Sequence, residues 1–399
     1  MKRTIIIAIL MILSITLIGC GSQSEAIIIW HDKEESVISV IEDYLAETLP
    51  ELEINFVHKE SLTDTLKLVG NNKSTAPDMY FFAHDKIGLF AEIGILAPIS
   101  DFIDINTFDD YVEMTVEAAT YKDVMYQLPL YYETLLFMYN KDRLSEDEVP
   151  TTSEELYTYM QENTDARRYA FVEQYSNAYY SAGWIHGFGG QILDQEGNPT
   201  LDSQEVIDAV TYHEKFIEFM PQGQAEYATV NTLFLERKAN SIIAGPWLVP
   251  QARENGIDLG FATMPTIDET NLPIAPYAGV QGIHVLKVQA DQPERKAKIT
   301  QIINALTNPE IGVDLALVSG AAPANDLAYL DSQISSDELV MAMKEAAINA
   351  VPMPNLPQMD VMWTTTSSML TQIYLNDADI LASITEAQED SEDLIDLMN

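Results

Sequence analysis

Residues 76–88 read APDMYFFAHDKIG: five apolar residues, three of them aromatic, run directly into a His-Asp-Lys triplet. Residues 79–83 have the length and aromatic content of a buried strand. No Gly or Pro turn separates that strand from the polar triplet, so the triplet sits where the strand ends and a helix begins. Working outward, 27–30 is a second apolar strand, ending in WHDKE, and 52–57 alternates as a third. Val37, Val40, Ile41, Tyr44 and Leu45 recur at helical spacing, 62–69 reads as helix, and Phe90 to Ile93 closes a helix that Gly94 caps. Strand-helix-strand-helix order predicts doubly wound, mainly parallel sheets flanked by helices. Ligands of such sheets bind beyond the strand carboxyl ends, which brings WHDKE and FAHDK to one edge.

A chain of 399 residues is long for one core and predicts two domains. Its 62 acidic against 21 basic residues give a formal charge of −41. That surface repels phosphate backbones and anionic head groups, which excludes nucleic acid as a partner. The acids are scattered, as on a solvated face.

The first 22 residues, MKRTIIIAILMILSITLIGCGS, place two basic residues before an apolar stretch of about 15, a length that suits a signal peptide better than a permanent span. The stretch ends in Leu17-Ile18-Gly19-Cys20, which resembles the lipobox of bacterial lipoproteins. That resemblance implies removal of 1–19, acyl chains on Cys20, a tether over 20–25, and an exported protein held on the outer face of a membrane by its lipid alone. Cys20 is the only cysteine, so an internal disulfide, a thiol nucleophile and a cysteine-based zinc site are excluded.

Farther along, 169–174 and 241–245 read as strands, and 203–219, 293–319, 337–349, 358–375 and 380–397 as helices. Eleven of the 19 tyrosines lie between Tyr121 and Tyr180, where the chain is expected to cross between domains. The six histidines lack metal-binding spacing, and GxSxG, P-loop and GxGxxG motifs are absent. No metal or cofactor is therefore expected. What remains is a binding constellation. Sugars present hydroxyls at their rim and C–H groups on their faces, so a sugar site needs aromatic plates and charged or amide groups. Trp30, Phe82, Tyr132, Tyr179, Tyr180, Trp247 and Trp363 are candidate plates; Asp32, Lys33, Asp85, Lys86 and Glu133 are candidate grips. Each has a structural alternative. Trp30 and Trp363 suit a core, Asp85 suits a helix cap, and Lys33 suits open solvent.

Four segments carry a specific resemblance. APDMYFFAHDKIGLFAEIGILAPIS, LPLYYETLLFMYNKDRL, AGPWLV and MPNLPQMDVMW resemble, in order, the corresponding segments of maltose/maltodextrin-binding proteins, the extracellular receptors of ABC sugar importers. The resemblance implies two α/β lobes joined by hinge strands, with 26–131 plus 283–328 in the first and 132–282 plus 329–399 in the second. It implies a monomeric, non-enzymatic receptor that closes around an oligosaccharide and delivers it to a permease. Matched position by position, Asp32, Lys33, Asp85 and Glu133 fall where that family bonds hydroxyls, and Tyr179, Trp247 and Trp363 where it stacks on sugar faces. Phe82 replaces a Trp, Lys86 an Arg and Asn177 a Glu; Thr364 replaces an aromatic and Ser367 an Arg. The lost plate at Thr364 suggests a shorter or differently branched ligand. Rival readings from the residues alone are a glycoside hydrolase using an acidic pair such as Asp85 and Glu133, and a same-fold receptor for a cationic solute.

Overall fold

The computed structural model describes residues 26–223 and 225–398. The leader and Cys20, on which the anchoring expectation rests, lie outside the described residues. Within them the strands that build the two main sheets are β1 (Ile27–His31), β2 (Ile54–His58), β3 (Met79–Ala83), β4 (Gln127–Thr134), β5 (Leu136–Asn140), β6 (Tyr169–Val172), β7 (Ala239–Ala244), β8 (Leu259–Ala262), β9 (Tyr277–Val285), β10 (Ala322–Pro323) and β11 (Val351–Pro352). The larger sheet, of seven strands, runs β10-β4-β9-β3-β1-β2, with β11 also paired to β9; the smaller runs β8-β5-β7-β6.

The two α/β lobes expected from the sequence are present, but the strand pairing within them is mixed rather than mainly parallel. β1 pairs parallel with β2 and β3, and β6 with β7. In each case a helical connection returns the chain to the same end. β9 inserts antiparallel between β3 and β4, and β5 runs antiparallel to both β7 and β8. The antiparallel strands are those through which the chain passes between sheets. Only Leu135 separates β4, in the large sheet, from β5, in the small one.

Both sheets are covered on two faces, as the two-residue alternation of their strands requires. Met79 and Phe81 of β3 join the cluster holding Ile27, Ile29 and Val285, while Tyr80 packs with Trp30 and Phe90 on the opposite face. Phe137 and Tyr139 of β5 pack with Phe171 and Trp184, while Leu136 and Met138 face Ile242 and Leu248.

The helices follow the predicted periods with one correction. The stretch 293–319 is two helices, Pro293–Ala305 and Pro309–Ser319. A residue preceding proline is pushed out of the α region, and Asn308 uses that conformation to cap the second helix, accepting from the Glu310 N–H. Among the described residues no helix is long and apolar enough to cross a membrane.

Candidate functional site

The parallel pairing of β1 with β3 sets His31 opposite Phe81, so both strands deliver their carboxyl ends to one edge of the large sheet. Asp32 and Lys33 follow the first strand; Phe82 lies near the end of the second, and Asp85 and Lys86 follow it. Lys33 Nζ lies 2.8 Å from Asp32 Oδ1 and 5.4 Å from the centre of the Phe82 ring. Asp85 caps no helix: its carboxylate is 3.2 Å from Lys86 Nζ, within the short turn His84–Lys86. His84 is structural. It is fully buried, accepts at Nδ1 from the Val280 N–H and bonds the Met353 carbonyl through Nε2 at 2.8 Å. Burial holds its imidazole below the usual histidine range. An acceptor at Nδ1 fixes the neutral tautomer with the proton on Nε2.

Glu133 is half-buried near the end of β4, opposite Gly279 of β9. Gln281, two residues on along the same face, donates its amide to Glu133 Oε1 at 2.9 Å. Burial raises the Glu133 carboxyl above the usual range, against the opposing pull of Lys33 and the Gln281 bond. Sequence reading missed Gln281 because it lies inside a wholly buried strand, where an amide reads as a packing residue.

The second lobe contributes rings. Tyr179 stands at the start of the Ala178–Gly187 helix, its ring centre 6.3 Å from Trp363 and 6.5 Å from Tyr277. Trp363, on the Met359–Asn376 helix, meets Tyr277 edge-on at 5.4 Å. Trp247 lies just beyond β7, in the turn Pro246–Leu248, and folds back over Gly245, where a Cβ would come within 2.2 Å of the indole. Tyr180 and Tyr227 set their hydroxyls beside that indole. Tyr277, unmarked in the sequence, completes the aromatic group.

The two sets meet. The Tyr179 hydroxyl is pushed well above the usual tyrosine range by burial first, and then by the charges of Glu133 and Asp85, together with Tyr180. A carboxylate on β4 of the large sheet and one just beyond β3 therefore act on a ring, carried by the Ala178–Gly187 helix, that packs against Trp363. Beyond these rings a groove of about 570 Å³ is lined by Asn177, Trp363, Thr364, Ser367 and Gln372 among others.

Some candidates fall elsewhere. Trp30 is buried in the first-lobe core, with Lys59 Nζ 4.6 Å from its ring centre. Tyr132 is buried and shares a hydroxyl contact of 3.0 Å with Tyr329. Asn177 reaches the groove, but its side-chain oxygen caps the Ala178–Gly187 helix, accepting from the Tyr179 and Tyr180 N–H groups. Ser367 accepts from the Ala178 N–H at 3.0 Å, a further tie at that helix start. The MPNLPQM motif is an anchor on the first lobe. Asn355 donates to the carbonyls of Ala118 and Thr120, and its own carbonyl accepts from the Gly88 N–H. A Cβ at Gly88 would come within 2.2 Å of that oxygen.

The model of the bacterial extracellular solute-binding protein family matches residues 39–342. A maltotriose-binding protein of Pyrococcus abyssi is 31% identical over 381 residues, covering 93% of this chain and 82% of the relative. A galactooligosaccharide-binding protein of Bacillus subtilis is 26% identical, covering 94% and 93%. A Streptococcus pneumoniae protein described as a maltooligosaccharide ABC transporter solute-binding lipoprotein is 25% identical, covering 93% and 92%. Among solved structures, a cyclo/maltodextrin-binding protein complexed with maltotetraose superposes with a TM-score of 0.82 at 22% identity, covering 94% of this chain and 98% of that one.

Proposed function

The chain belongs to the bacterial extracellular solute-binding proteins, and from that premise we propose that it is an oligosaccharide receptor that closes around its ligand and hands it to an ABC transporter permease. One observation carries the reading: Asp85 pairs with Lys86, which reaches the helix that carries Trp363, and Trp363 packs tilted against Tyr179, so acceptors for hydroxyls and plates for sugar faces border one cleft. Asp32, Lys33, Asp85, Lys86 and Glu133 are the grips in this reading. Phe82, Tyr179, Trp247 and Trp363 are the plates, with Asn177 at the edge of the groove. Contacts made by both lobes favour the closed state over the open one, and no covalent step is needed.

The names of the relatives favour an oligosaccharide of the malto or galacto series. The division into lobes that goes with this reading is 26–131 plus 283–328 and 132–282 plus 329–399. Acylation at Cys20 would hold a monomeric receptor at the outer face of the membrane, a reading supported by the lipobox-like Leu17 to Cys20 and by the lipoprotein relative. Loss of membrane association on Cys20→Ala tests the anchor. The family is one of binding proteins rather than enzymes, which removes the hydrolase alternative.

Calorimetry against malto-, isomalto- and galacto-oligosaccharides tests the central claim. Binding to at least one series, lost on Trp363→Ala with folding retained, is the expected result. An absence of heat with every series overturns it.

A further inference from the structure

One acidic residue in the motif region is absent from every set of grips above. Asp360 opens the Met359–Asn376 helix, three residues before Trp363. That helix is built into the second lobe: Met359, Met362, Met369 and Ile373 lie in the cluster with Phe171 and Trp184, and Tyr374 donates to the Val210 carbonyl. The two cations that Asp360 meets come from the first lobe. Lys86 Nζ lies 2.9 Å from Oδ1, and Lys67 Nζ, from the Leu62–Val69 helix, lies 2.9 Å from Oδ2. Lys86 is also the partner of Asp85, so the charges run Asp85, Lys86, Asp360, Lys67, crossing to the second lobe at Asp360 and returning to the first at Lys67.

We infer that Asp360 is a positioning residue for the ligand site: by taking one lysine on each carboxylate oxygen it fixes Lys86 beside Asp85 and ties the Trp363 helix to the first lobe. The inference rests on the proposed receptor function and extends it to a residue that does not touch the ligand.

Three observations support it. Lys86 keeps only 13% of its side chain exposed, so without a second carboxylate its charge would stay largely buried with Asp85 alone. Burial works against a charge on Asp360, yet Lys86 and Lys67 hold its carboxyl below the usual range. Neighbouring ties already fix the chain just before it. Asn355 and His84 anchor 353–355 to the first lobe, so the start of the helix is where second-lobe movement meets a fixed support. Lys67 also lies 4.0 Å from Asp64, a looser contact on its own helix that leaves Asp360 as its closer partner. Pairs that span two lobes count toward whichever lobe arrangement brings them together, and ligand binding then works with them.

The test compares the parent with Asp360→Asn, Asp360→Glu and Lys67→Met, reading oligosaccharide affinity at low and at about 1 M salt, where charges are screened within roughly 3 Å. Small-angle scattering of the ligand-free chain and the thermal midpoint are read alongside. Asp360→Asn should weaken affinity about tenfold at low salt, with the gap narrowing at high salt. It should also raise the ligand-free radius of gyration. Asp360→Glu should restore much of both, and Lys67→Met should give part of the loss. A parent-like Asp360→Asn, or a loss that is independent of salt and not rescued by Glu, overturns the inference. If the parent binds no sugar, the receptor reading fails. Asp360 is then judged by scattering alone, where an unchanged radius on Asp360→Asn rejects it.

Discussion

The two walls of the cleft are chemically unlike. The wall built on the large sheet offers Asp32, Lys33, Asp85, Lys86 and Glu133, set by strand carboxyl ends and a short turn. The second offers Tyr179, Trp247 and Trp363, set by helix starts and by a turn after a strand, with Tyr277 joining them from the start of β9. The first wall is mainly charged, the second mainly aromatic, and in the proposed function each meets a different part of a sugar. The first wall carries a single plate, Phe82, so most face contacts come from the second. This is a physical reason for a receptor to gain most of its affinity only when the walls approach.

The largest expected effect is on the supports behind both walls. His284 stacks on Tyr80 at 4.4 Å behind the first wall, and His186 meets Tyr277 edge-on at 4.7 Å behind the second. Burial lowers their pKa values to about 3 and about 4, from an ordinary value of 6.5. Both are therefore neutral when folded and charge readily when unfolded. Their stabilising contribution is complete above pH 6.5 and is lost as pH falls toward 4 for His186 and 3 for His284. At 1.36 kcal/mol per unit this is on the order of 3–5 kcal/mol each. Glu133 opposes them: its raised carboxyl favours the folded state as pH drops toward 4.5. Thermal midpoints between pH 7.5 and 3.5 should fall steeply below 6.5, and His284→Gln should flatten the lower part of the curve. A flat profile in the parent breaks the claim that both walls rest on neutral imidazoles.

Next in size is the aromatic wall itself. Trp363→Ala removes a ring whose burial under a sugar is worth about 2–3 kcal/mol, so affinity should fall roughly 30- to 140-fold by calorimetry. The thermal midpoint separates the two roles of this side chain, because it also packs on Tyr179 and Tyr277. A variant that unfolds rather than binding weakly assigns Trp363 to the core.

The charged wall should yield a smaller change. Glu133→Gln keeps the shape and the Gln281 neighbour but loses an ionised acceptor, costing about 1.5 kcal/mol or roughly tenfold in affinity. Affinity of the parent should likewise weaken as pH falls through the raised Glu133 pKa, and the Gln variant should not show that step. If Glu133→Gln costs more than Trp363→Ala, the charged wall dominates and the order argued here is reversed.

The same contrast explains what the sequence revealed. Strand ends followed by polar triplets were legible, because apolar runs and the residues after them are local signals. So were the positions of Trp247 and Trp363, the proposed plates that AGPWLV and MPNLPQMDVMW mark. The mixed pairing was not legible, since strand direction depends on where the chain crosses between sheets, a property of 134–136 and β9 together rather than of either alone. Gln281 and Tyr277 were hidden inside a buried strand. Asn177 resembled a grip by position, yet its oxygen is occupied by the helix it starts. Asp360 carried no motif signal because its meaning lies in two lysines 274 and 293 residues away.

The smallest expected change lies at Phe82, where the two chemistries touch. Its ring is on the charged wall, half-buried, with the Lys33 ammonium 5.4 Å from its centre. Phe82→Trp enlarges the plate, strengthens the pull on Lys33 and adds an N–H that can donate to a ligand hydroxyl. The gain is limited because the Lys33 contact is already made and the site must widen to take the larger ring. An increase of about two- to fivefold in affinity follows, from less than 1 kcal/mol of added contact. Titrations over a ladder of chain lengths locate the gain. If it appears with the shortest bound sugar, Phe82 faces the same unit that the charged grips hold. If it appears only with longer chains, the plate lies farther along the cleft. A loss of affinity means that the ring is wedged in the Trp30–Tyr80 cluster and belongs to the core rather than to either wall.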